Sequence, residues 1–298
     1  SYLNALTPTA KESFTSVTWG PLLDHLEISR KKVQHIYLPV NHTHFSSSFE
    51  AAKFLERLSK TSSKSNIHTS LTSYLSLRVL AKSIFDYLAN SFLTILILLF
   101  LRDKSVLSLF MATELFRSFI GPSGVFNSFH KNLFEEFFIL NNSAKLALYP
   151  LEFQGWESLF LQTSSSYGIK SLGYPHSSIR YWDLRYFFNS NLISVYDSYS
   201  AIPDYIATTS SAMHNSLLNS GFKSGRLVKV ESLRYSWLSA DVEFNSRQIS
   251  NFSPKILLLL DYKISSSKLL IGCAYSLERS FPNASITIRE HPSCPVSK

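Results

Sequence analysis

Cysteine is nearly absent: Cys273 and Cys294 stand alone in 298 residues, with no CxxC pair. That argues against a disulfide-stapled secreted scaffold and for a reducing, cytoplasmic setting. Long apolar runs are also missing. The most apolar stretch, 92-FLTILILLFL-101, falls short of the ~20 residues a membrane span needs. With Asp86 before it and Arg102 and Asp103 after it, it reads as a buried element. The first residues, SYLNALTPTAKES, have neither an initiator Met nor a basic-then-apolar signal pattern, so the natural chain is expected to start earlier.

Several chemistries lose their best support by absence. There is no GxxxxGK[ST] phosphate loop and no GxGxxG fingerprint, which removes the usual marks of ATPases and dinucleotide oxidoreductases. The stretch 121-GPSG-124 is not the GxSxG elbow of serine hydrolases. No Asp-x-Asp pair occurs, the nearest being Asp241-Val242-Glu243, so a divalent-metal sugar-nucleotide site of that type is not visible. His42-Thr43-His44 has a spacing that suits a metal but has no Cys or carboxylate nearby, and no metal site is assigned.

What is present is a composition able to bury a substantial core, 45% hydrophobic, with a formal charge of +8 and a pI near 9.3. Excess positive charge favours an anionic partner: nucleic acid, an acidic membrane surface or a phosphorylated small molecule. The basic residues are scattered, with Arg30, Lys31 and Lys32 the only run of three, so a nucleic-acid groove is not required. Peripheral membrane attachment through positive charge stays open.

The hydrophobic periodicity predicts an early strand over 32-KVQHIYLPV-40, a helix over 45–60, and a mainly helical insertion from about 71 to 140, broken at 121-GPSG-124, whose Met and Phe stripe is read as core. From 144 on, strands and helices alternate. Strands are expected at 144–150, 169–175, 204–210 and 226–232, with helices at 155–168 and 211–221, each stopped by a glycine. Such alternation implies a parallel sheet with crossover helices. A polar stretch, 239–254, precedes a second unit: KILLLLDY (255–262) as a fully buried strand, a helix over 265–281, and ASITIREHP (284–292) as strand. The expected organisation is a first domain over 1–238, a linker over 239–254 and the incomplete start of a second domain over 255–298. Such a half-built second sheet would expose strand edges, and the chain alone is expected to aggregate or to need a partner.

In an open parallel sheet, ligands bind beyond the carboxyl ends of the strands. Polar residues gather there. Glu152, Gln154 and Glu157 follow one expected strand, His176 and Arg180 the next, Glu231 and Arg234 a third, and His291 a strand of the second unit. Glu152 and Arg180 would also suit a structural ion pair, Trp156 and Trp182 suit packing, and Asp183 and Arg185 suit pairing with neighbours. His176, inside PHSSxR, serves equally as a hydrogen-bonded structural histidine or as a functional one.

Taken together, LEFQGWE (151–157), GYPHSSIRYWDLRYF (173–187), IPDYIATTS with LLNSGF (202–222), VESLRYSWL (230–238) and ITIREHP (286–292) resemble bacterial surface-carbohydrate biosynthesis proteins, over roughly residues 90 to 298. These are similar to glycosyltransferases of the GT-B architecture, with two facing Rossmann-like domains. The resemblance implies transfer of a sugar from a nucleotide-activated donor to a lipopolysaccharide or capsular glycan, with no essential metal and no cofactor beyond the nucleotide-sugar substrate. The strand ending in His291-Pro292 resembles the His-Pro motif of enzymes that use cytidine monophosphate sugars, which would place both residues at the donor phosphate.

An inverting transfer needs a group to take the acceptor proton and groups to stabilise the departing phosphate. Glu152 is the first candidate base and His176 the second. Arg180 and Arg234 are candidate bidentate anchors for phosphate or a sugar carboxylate, and Gln154, Glu157 and Glu231 candidate substrate contacts. The expected partners are a nucleotide-sugar donor and a glycan or lipid-linked glycan acceptor, at the cytoplasm or the inner face of the cytoplasmic membrane, without nucleic acid. Two alternatives remain: a non-catalytic nucleotide-sugar or glycan-binding protein of the same fold, and a basic nucleic-acid binder.

Overall fold

The computed structural model describes residues 19–29, 31–38, 47–61, 66–100, 105–175, 179, 183–187, 190–233, 235, 254–291 and 294. The chain divides into two compact units, residues 1–240 and 241–298.

The first unit opens with helix α1 (Gly20–Ile28), strand β1 (Val33–Tyr37), helix α2 (Ser48–Thr61) and strand β2 (Asn66–Ser70). β1 and β2 pair in parallel, with His35 opposite His68. Three helices follow: α3 (Leu77–Phe100), α4 (Val106–Phe119) and α5 (Pro122–Leu140). The break at 121-GPSG-124 is real and has a local cause. Gly121 is the N-cap of α5 and Pro122 its first residue, where the ring's fixed φ suits a helix start. Gly124 lies so close to the preceding turn that a Cβ there would meet the Phe119 carbonyl oxygen at 2.2 Å.

The alternating region forms a four-stranded parallel sheet in the order β3 (Leu146–Pro150), β4 (Lys170–Tyr174), β5 (Tyr205–Thr208), β6 (Leu227–Lys229). Its connections carry helices α6 (Gly155–Ser166), α7 (Ser190–Ser198) and α8 (Ser211–Asn219). α6 ends in a Schellman arrangement: Gly168 takes φ +67, its N–H donates to the Ser165 carbonyl, and the Ile169 N–H donates to that of Ser164. α8 ends the same way at Gly221, φ +96, and starts with the Ser210 hydroxyl accepting from the Met213 N–H at 3.1 Å. β2, α1 and α7 were not anticipated from the sequence.

The core of this unit is one cluster in which Phe160 of α6 meets Phe134 and Phe138 of α5 and Tyr149 of β3, with ring centroids 5.3 to 5.7 Å apart. Edge-to-face and tilted pairs at such distances add to the burial of the rings themselves. Leu71 and Val79 join the same cluster from the start of the helical region.

Three expectations about burial fail. Residues 92–100 of the apolar run belong to α3, a helix of 24 residues that is long and apolar enough to cross a membrane by length and composition, and most of it is exposed. The expected Met and Phe core stripe holds for α5 but not for α3 and α4, where Phe92, Phe110, Met111 and Phe116 are exposed. The physical reason is layering: α5 packs against both α6 and α3, whereas the far sides of α3 and α4 have nothing over them among the described residues. In the second unit, β7 (Lys255–Leu259), α9 (Ile264–Ser280) and β8 (Ser285–Arg289) form a βαβ element with a parallel strand pair. β7 is not fully buried: its residues alternate, leaving Leu257 and Leu259 57% and 61% exposed. Alternation of that kind marks a strand covered on one face.

Candidate functional site

Sequential strand order, β3 to β6 without reversal, gives this sheet no topological switch point, so any site at its carboxyl end is made by the loops above it. The first of these loops follows β3. Leu151 stays in register, its N–H donating to the Tyr174 carbonyl at 3.0 Å. Glu152 and Phe153 then turn the chain sharply into α6, and Phe153 does so with φ +53, a left-handed conformation costly for a bulky residue.

Glu157 pins that turn. Its buried carboxylate accepts from the amides of Glu152 (3.0 and 3.2 Å), Phe153 (3.0 Å) and Gln154 (3.1 Å). The bond from Gln154, the N-cap of α6, is the acidic half of a capping box. Burial pushes the Glu157 pKa up to about 7, against the downward pull of those amides. Its role therefore departs from the expected substrate contact: both carboxylate oxygens face the protein's own loop, and it acts by positioning Glu152 and Gln154.

Around the turn, Glu152 and Gln154 meet Trp156 and Arg185. The Gln154 amide donates to the Glu152 carboxylate and accepts from the Trp156 indole at 3.0 Å. Both ends of the amide are thus engaged, which orients Glu152. Arg185 makes a bidentate pair with Asp183 (2.8 and 2.7 Å) and donates to the Glu152 carbonyl at 3.0 Å. The expected neighbour pairing of Asp183 and Arg185 is with each other. Tyr186 locks the floor, its hydroxyl donating to the Leu151 carbonyl at 2.6 Å and its ring meeting Phe153 edge-on at 5.1 Å. Burial raises the Tyr186 pKa above the ordinary phenol range, which keeps the donor protonated.

At the next strand, the Tyr174 hydroxyl accepts from the Leu233 amide at 3.0 Å, drawing the segment after β6 back over β4. Glu231 lies on that segment and is exposed. Glu231 follows β6 and Glu152 follows β3, the two edges of the sheet, whose strands are three spacings or roughly 14 Å apart. His176, Arg180, Arg234 and Pro292, together with Trp182 and the His42–His44 pair, lie outside the described residues. His291 lies in the second unit at the carboxyl end of β8, bridged to Cys294 and with its ring 6.3 Å from that of Tyr262, which follows β7.

Sequence reasoning missed the left-handed Phe153, the Glu157 clamp and the tyrosine hydroxyls that tie the loops. The Gln154-x-x-Glu157 spacing was a readable capping signal. Among the described residues no group of three or more His, Cys, Asp or Glu is placed to hold a metal.

These elements define an α/β protein of parallel sheets, consistent with the Rossmann-like class. Comparison of the chain with protein-family models, curated proteins and solved structures gave no significant match.

Proposed function

We propose that the chain is a glycosyltransferase-like protein of GT-B type that moves a sugar from a nucleotide-activated donor to a cell-surface polysaccharide or lipopolysaccharide precursor at the cytoplasmic side of the membrane. The observation that carries this reading is the Glu152, Gln154 and Trp156 array at the carboxyl end of β3, oriented by hydrogen bonds and held on a strained turn. Strained backbone concentrates where function demands a set geometry.

In this reading the Glu152 carboxylate takes the proton of the acceptor hydroxyl as that oxygen attacks the sugar, and the nucleotide leaves with the bonding electrons. Gln154 steadies the base through its amide. Arg185 is a positioning residue, its guanidinium spent on Asp183 and the Glu152 carbonyl. Arg180 and Arg234 are the proposed anchors of the phosphate.

The test is turnover with a panel of nucleotide sugars, cytidine monophosphate sugars included, and a lipid-linked glycan acceptor. Glu152→Gln should lower turnover by about 10²- to 10⁴-fold with an unchanged thermal melt. A wild-type rate in that variant removes Glu152 as the base. Donor binding by the native chain without any turnover would favour a non-catalytic binder.

A further inference from the structure

Where α3 and α4 meet α5, polar groups are satisfied within the protein, while the open side of the two helices is mostly apolar, with the Glu114–Arg117 pair of α4 also exposed. Toward α5, the buried hydroxyls of Ser83 and Thr94 donate to the Val79 and Asn90 carbonyls of their own helix, each at 2.7 Å. On α5, Ser128 does the same to Gly124 at 2.9 Å. Asp86 accepts from Lys131 (3.1 Å) and Asn132 (3.0 Å), and Lys82 pairs with Glu135. The end of α4 is closed from α3: Tyr87 donates to the Ile120 carbonyl at 2.6 Å and Ser91 to that of Phe119 at 3.2 Å. Carbonyls that a helix end leaves open to water are here satisfied by protein. Outward, Phe92, Leu99, Phe100, Val106, Leu109 and Phe110 are each at least 62% exposed.

We propose that this outer face of α3 and α4 inserts among the acyl chains of one leaflet of an anionic lipid bilayer. Three observations select lipid over a second copy or a protein partner. Polar groups satisfied between the helices are what a medium without water demands. The exposed apolar positions of late α3 include Leu93, Ile95, Leu96 and Ile97, spaced by about 100° per residue, so they wrap more than one side of the helix. Fluid chains cover such a convex surface, whereas a flat protein patch covers one side. The formal charge of +8 complements anionic headgroups. One side of the pair is covered by α5, so it enters along its open face, in one leaflet. Along that face the uncharged residues 87–100 of α3 measure about 21 Å as helix, and Arg102 and Asp103 follow in the sequence. This inference stands apart from the sugar-transfer reading and survives its failure.

The experiment is flotation of the full chain with phosphatidylcholine vesicles, with and without phosphatidylglycerol, at low and high salt. The chain should float with both and more strongly with phosphatidylglycerol, and binding should persist at high salt. The triple variant Phe92→Gln, Leu99→Gln, Phe110→Gln should lose about tenfold or more in partitioning. To keep the test independent of that variant's folding, Leu99→Cys carries an environment-sensitive fluorophore in a Cys273→Ser, Cys294→Ser background, with Lys60→Cys on α2 as control. A blue shift on vesicle addition at position 99 alone is the expected result. A chain that stays in the aqueous fraction, binding abolished by salt, or a discrete dimer by sedimentation that does not float would overturn the proposal, the last in favour of a second copy.

Discussion

The α5, α6 and β3 layer and the α3 and α4 pair use the same residue types and orient them oppositely. Phe134 and Phe138 are 2% exposed, while Phe92 and Phe110 are 63% and 62% exposed. α5 belongs to both regions: Phe134 and Phe138 point one way to Phe160, and Gly124, Ser128 and Asn132 point the other way to small and polar partners. Hydrophobicity alone therefore does not mark the core of this chain. Position in the layers does: the region lacking a covering layer is the one that leaves its large apolar side chains exposed.

The contrast breaks most visibly under equal chemistry. Phe134→Ala should cost about 3–5 kcal/mol in urea melts, because a buried ring leaves a cavity. Next comes the clamp of the candidate site: Glu157→Ala strands three amides and should cost about 3 kcal/mol, with donor-dependent turnover lost alongside the left-handed turn at Phe153. Gly124→Ala, at the seam between the two regions, puts a Cβ 2.2 Å from the Phe119 carbonyl and should cost about 1–3 kcal/mol.

A pH-dependent effect is expected from the paired histidines of β1 and β2. The His68 ring stacks on that of His35 at 4.4 Å and lies 2.9 Å from the Tyr37 hydroxyl. Burial, and next the neighbouring His35, lowers its pKa from 6.5 to about 3. Between those values the unfolded chain binds the proton and the folded chain does not, so stability is full above pH 6.5 and is lost as pH falls toward 3. Melts across that range should flatten in His68→Asn; an unchanged slope would assign the acid sensitivity elsewhere. The smallest effect belongs to the outer helices, where Phe92→Ala should change stability by no more than about 0.5 kcal/mol. A cost near that of Phe134→Ala would erase the distinction between the two regions.

Much of the architecture was legible in the sequence. Alternation from 144 to 232 gave the four parallel strands, because glycines at 168 and 221 stop helices in a way local chemistry dictates. The short β2, NIHTS, was hidden because its polar sequence shows no apolar alternation and its pairing with β1 is set by tertiary contact. The exposure of α3 was hidden for the opposite reason, since an apolar helix reads the same whether protein or something else covers it. At the site, Glu152 and Gln154 were placed after β3 and Asp183 and Arg185 were read as pairing with neighbours, but the part played by Trp156 and the division of labour among these residues were not foreseen. Which carboxylate faces the solvent side and which binds backbone amides depends on a positive φ at Phe153 that no residue pattern announces.

The measurement that bears most directly on the proposed function is calorimetric titration of the chain and of Glu152→Gln with the nucleotide-sugar panel. Saturable binding of at least one donor, retained in the variant because the base acts on the acceptor, is the expected result. No binding heat from any nucleotide sugar to a chain shown by its melt to be folded would contradict it.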